Sequence, residues 1–69
     1  MKEYKIRDEF IKLGQAMKAA GLVEMGSDAK ELIQNGEVKV NGEVELRRGL
    51  KLVPGDEIEF GSYAVKITK

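Results

Sequence analysis

The chain reads as an α+β domain in which an N-terminal strand precedes two short helices packed on a small, curled, mostly antiparallel sheet. Three observations predict this. Apolar residues recur twice at helical spacing in the first half, they alternate with polar residues through the second half, and turn-forming pairs punctuate that second half. With 69 residues there is room for one domain, covering 1–69.

Tyr4 and Ile6 alternate with Lys5 and Arg7, the pattern of a first strand with one covered face. Phe10 and Ile11 resume the apolar signal. Leu13, Ala16, Met17 and Ala20 then form one stripe of a helix over about Leu13 to Ala20, which Gly21 is placed to close. Leu22, Val23 and Met25 read as core residues of the connecting loop. Ala29, Leu32 and Ile33 share the face of a second helix, capped at its start by either Ser27 or Asp28 and closed by Asn35-Gly36. Helices this short need a sheet to lie on.

About four further strands follow. Val38 and Val40 alternate with charges, Asn41-Gly42 signals a hairpin, and Val44 and Leu46 alternate again. Phase favours a three-residue loop, which sets Val40 opposite Val44 and Val38 opposite Leu46; a two-residue loop mixes valines with glutamates on one face. Val53-Pro54-Gly55-Asp56 has the residues of a type II turn. Gly61-Ser62 suits a two-residue hairpin loop that sets Phe60 opposite Tyr63, Ile58 opposite Val65 and Glu57 opposite Lys66. Phe10, Phe60, Tyr4 and Tyr63 all fall on expected core faces.

Composition narrows the function. Hydrophobic residues make up 42% and charged residues 35%, too apolar for a disordered tail and too charged for a membrane protein. Cysteine and histidine are both absent, which removes the disulfide, the thiolate nucleophile, the zinc–thiolate site and the usual general base. The charged N-terminus MKEYKIRDEF does not fit a signal peptide. Expectation is a soluble cytoplasmic protein with no cofactor and no membrane role. Ser27 and Lys30 match a Ser-x-x-Lys spacing, yet at a helix start they read as a cap and a solvated lysine. Asp56, Glu57 and Glu59 read as a solvated strand face rather than a metal site. The sequence therefore points away from an enzyme, with no catalytic residue, no metal ligand and no small-molecule substrate.

The basic residues are more informative. Twelve Lys and Arg balance twelve Asp and Glu, so any affinity for a polyanion depends on placement rather than excess. Lys12, Lys18, Lys30, Lys39, Arg47, Arg48 and Lys51 span the helices and the middle of the sheet, whereas Asp56, Glu57 and Glu59 cluster further along. A cationic helix-hairpin side is expected.

The segments LGQAMKAAGL, AKELIQNGEVKVNGE, RRGLKL and PGDEIEF, in this order, resemble the RNA-binding domain of the ribosomal-protein-S-four type, also called the alpha-L motif. The likeness runs from Lys12 to Phe60, nearly three quarters of the chain, and is greatest to the small free-standing bacterial members of YaaA/YbcJ type. It implies a non-catalytic, monomeric binder of structured RNA, ribosomal RNA or ribosome-associated, with the helices and hairpin facing the ligand. Carried over by position, Lys12 stands where larger relatives open the first helix with arginine. Lys18, Lys30, Asn41, Arg47 and Arg48 fall where the small members are basic or polar. Met25-Gly26 replaces a Ser-Arg pair of many relatives, and Gly14 replaces an aspartate. Arginine suits phosphate oxygens and stacks on exposed bases, and two helix N-termini facing the RNA add backbone donors. The alternative is a small protein–protein module, since VNGEVEL and GDEIEF are also similar to ubiquitin-like carriers. The final Lys66-Ile67-Thr68-Lys69 lacks the Gly-Gly that carrier chemistry needs.

Overall fold

The computed structural model describes residues 2–69. Strand β1 (Lys2–Lys5) leads to a short β2 (Ile11–Lys12), which runs directly into helix α1 (Leu13–Ala19). Helix α2 (Gly26–Gln34) follows, then β3 (Val38–Val40), β4 (Glu43–Val44), β5 (Lys51–Leu52), β6 (Glu57–Phe60) and β7 (Tyr63–Thr68). Five strands form one sheet in the order β1-β7-β6-β3-β4, antiparallel except for the parallel β1–β7 pair. β2 and β5 make a separate antiparallel pair.

The helical stripes are buried where their spacing places them. Leu13, Ala16 and Met17 of α1 and Ala29 and Ile33 of α2 close one core with Ile6, Val38, Leu52, Ile58 and Ile67. Both helices end in the same way. Gly21 adopts φ +79°, its N–H meets the Lys18 carbonyl at 3.1 Å, and the Leu22 N–H meets the Met17 carbonyl at 2.9 Å. Gly36 repeats the arrangement, with Glu37 donating to Leu32 at 3.1 Å. The Lys2 ammonium of β1 also donates to the Ala20 carbonyl, a cation at the negative end of α1.

The last hairpin has the expected register, with Phe60 opposite Tyr63, Ile58 opposite Val65 and Glu57 opposite Lys66. The Asp56 N–H closes its turn on the Val53 carbonyl at 3.0 Å.

Four features differ from the sequence expectations. The first is the strand count: β2, a two-residue strand too short to leave a periodic signal, precedes α1, and five strands rather than four follow the helices. The second is the start of α2. Its N-cap is Met25, in extended conformation with no side-chain cap, so neither Ser27 nor Asp28 has that role; Met25 is 60% exposed rather than core.

The third is the β3–β4 hairpin, where Val40 faces Glu43 and Lys39 faces Val44 across the two-residue loop Asn41-Gly42. Asn41 (φ 54°) and Gly42 (φ 87°) are both left-handed, as the tight primed turn requires. The phase reasoning failed because β4 is an edge strand. Val44 and Leu46 are exposed, so no core demands a matched register. The fourth is the aromatic set. Phe10, just before β2, is 39% exposed, and Tyr63, the first residue of β7 after the Gly61-Ser62 loop, is 62% exposed.

Candidate nucleic-acid interface

The loop 47–50 is docked onto the beginning of α1. The Leu13 N–H donates to the Leu50 carbonyl at 2.8 Å, and the Gly14 N–H to the Arg48 carbonyl at 3.0 Å. These bonds bring Arg48 to the cleft that Lys12, which precedes the helix in extended conformation, also lines. Gln15 and Lys18 project from the face of α1 opposite its buried stripe. Gly26, the first residue of α2, closes the other side.

The result is a cleft of about 480 Å³ lined by Lys12, Lys18, Arg48, Gln15 and three glycines, with no carboxylate. A methyl group at Gly26 or Gly49 would meet nothing within 4 Å, and at Gly14 it would make an ordinary 3.6 Å contact with the Arg48 carbonyl oxygen. Packing does not demand these glycines. What they do is leave bare backbone that a ligand can approach closely.

Arg47 has a different position from its neighbour. Its Nε donates to Glu45 Oε2 at 2.9 Å, and its own backbone N–H reaches the same oxygen at 3.0 Å. This is the one ion pair within 4.0 Å among the described residues. The hydrogen bond from the Arg47 guanidinium holds the Glu45 carboxyl below its ordinary titration range. The cations of the cleft have no such partner. Placed together, they repel one another, and an anion entering between them relieves that repulsion.

The other candidate residues lie outside this cleft. Lys30 is exposed on α2, and Lys39 is exposed on β3 in register with Glu59. The Lys51 ammonium lies 4.7 Å from the centre of the Phe10 ring. The Asn41 side chain is engaged internally: its Nδ2 donates to Asp56 Oδ1 at 3.0 Å, and its Oδ1 accepts the Glu57 N–H at 3.0 Å. Asp56, Glu57 and Glu59 do not line the cleft.

Helix N-termini contribute less than expected. The first amides of α1 are already bonded to the 48 and 50 carbonyls, which leaves the α2 end, at Gly26, as the one that opens on the cleft. Sequence reasoning missed Gln15, Gly14, Gly26 and Gly49 as lining residues. The sequence offered no signal that separates them from ordinary turn and cap glycines: Gly49 itself lies in a turn that the Leu50 N–H closes on the Arg47 carbonyl at 3.2 Å.

The mixed five-stranded sheet, the helix pair and the loop docked at the start of α1 define an alpha-L type domain. An S4 domain model matches residues 4–68, and the chain belongs to that family of RNA-binding domains. Among relatives, RlbA of Bacillus subtilis (strain 168), a "probable ribosome maturation protein", is 44% identical over 63 residues, covering 87% of this chain and 89% of its own. YbcJ of Escherichia coli (strain K12) is 37% identical over 57 residues, covering 83% and 81%. The solution structure of E. coli YbcJ, described as revealing an alfaL motif involved in RNA binding, superposes with a TM-score of 0.77 at 31% identity. It covers 100% of this chain and 89% of its own.

Proposed function

We propose that the protein binds structured RNA without transforming it, as a cytoplasmic monomer, and that its target is ribosomal RNA or an RNA of the assembling ribosome. The observation that carries this reading is the carboxylate-free cleft in which Lys12, Lys18 and Arg48 converge. Three cations and exposed glycine backbone suit phosphate oxygens, and a folded RNA presents phosphates in a fixed geometry that such a cleft can recognise by shape. The name of the relative RlbA supports a ribosomal target, and that of the YbcJ structure supports RNA as ligand. No helix among the described residues is long and apolar enough to cross a membrane.

Binding to a ribosomal RNA hairpin, followed by fluorescence anisotropy across a salt series, tests this. Each neutralised phosphate releases counterions, so log Kd rises linearly with log salt. Lys12→Gln and Arg48→Gln should each weaken binding and lower the magnitude of the salt slope by about one. Lys66→Gln, on the exposed face of β7, should change neither. If the Lys12/Arg48 double variant keeps the parent affinity and slope, the reading fails. Capture of a protein partner that survives nuclease treatment, with no RNA affinity, would instead favour the protein–protein module.

A further inference from the structure

A second hollow, of about 610 Å³, opens beside the basic cleft. One wall comes from β1 and the bend after it, including Tyr4, Arg7 and Phe10. The other comes from α1, where Gln15 and Lys18 line this hollow and the basic cleft alike. The two spaces are therefore neighbours on α1, with Gln15 and Lys18 between them.

Phe10 distinguishes the second space from the first. Its ring is 39% exposed, and Lys51 lies over it without lining the hollow. The ring thus meets the Lys51 cation while also presenting surface to the hollow. Lys5 and Asp8 also line it, and an aromatic surface with cationic, carboxylate and amide groups around a space of this size suits a flat heterocycle with donors and acceptors on its edge. Because Lys18 serves both spaces, the occupant is expected to carry a phosphate.

We propose that this hollow receives one unstacked base of the bound RNA, stacked on Phe10, with its phosphate at Lys18. The proposal rests on the RNA reading above and adds to it a preference for a bulged or looped-out nucleotide. Unpaired bases are where proteins stack aromatic side chains on RNA, and such stacking is sequence-tolerant because every base has a π-face.

The test uses two synthetic RNA hairpins, one with a single adenosine bulged from its stem and one without the bulge. The parent protein should bind the bulged hairpin about 5- to 150-fold more tightly. Phe10→Leu should abolish that preference while leaving affinity for the plain hairpin unchanged, and Phe10→Tyr should retain it. Equal binding of both hairpins by the parent would overturn the base site and leave the RNA reading intact. Equal weakening of both by Phe10→Leu would also overturn it, because Phe10 would then be supporting the fold of the cleft. If neither hairpin binds, the base site falls together with the RNA reading.

Discussion

Glu45 accepts three bonds from Arg47, two from the guanidinium and one from the backbone N–H, while Arg48, one position on, faces the cleft. The pair fixes the titration of Glu45. Its carboxyl is held below the ordinary range in the folded chain, chiefly by the Arg47 side chain. The pair's contribution to stability is therefore present above the unfolded-state value and disappears as pH falls through the folded one. Because the Arg47 side chain is solvent-exposed, that contribution is small. A carbon-13 NMR titration should show the Glu45 carboxyl protonating below the usual carboxylate range, and Arg47→Ala should move the midpoint up toward the ordinary one, the backbone N–H bond remaining. The sequence lists Arg47 and Arg48 as equals. Which of them is captured depends on the path of the backbone after β4, and charge counting does not register that path.

The β3–β4 hairpin shows what holds an element in place when burial does not. Val44 and Leu46 are exposed, so register comes from the left-handed pair Asn41-Gly42 and from the bonds of Asn41 to Asp56 and Glu57. Asn41→Ala removes those side-chain bonds and puts a methyl-bearing residue at positive φ. Together these should cost about 2 kcal/mol in urea unfolding. Asn41→Gly, which relieves the backbone but not the lost bonds, should fall between parent and alanine variant, and RNA affinity of the folded fraction should be unchanged in both. Elements governed by local rules were legible. The helical stripes, the two glycine helix ends, the Pro54-Gly55 turn and the β6–β7 register all follow from neighbouring residues. The β3–β4 register and the two-residue β2 were not, since the first depends on lying at a sheet edge and the second on a partner, β5, far along the chain.

For the molecule as a whole, twelve charges of each sign leave no bulk attraction for a polyanion, so function depends on where α1, α2 and the 47–50 loop meet. The sequence supplied Lys12, Lys18 and Arg48 as part of a longer basic set. Selecting those three needed the tertiary contact of Gly14 with the Arg48 carbonyl, a long-range bond with no sequence signature. A nitrogen-15 NMR titration with a ribosomal RNA hairpin addresses the cleft most directly. The backbone amides of Gly14, Gly26 and Gly49 should shift together and saturate at one equivalent, while those of the β6–β7 hairpin stay in place. Shifts confined to residues 57–66, with the three glycine amides unmoved, would contradict the account.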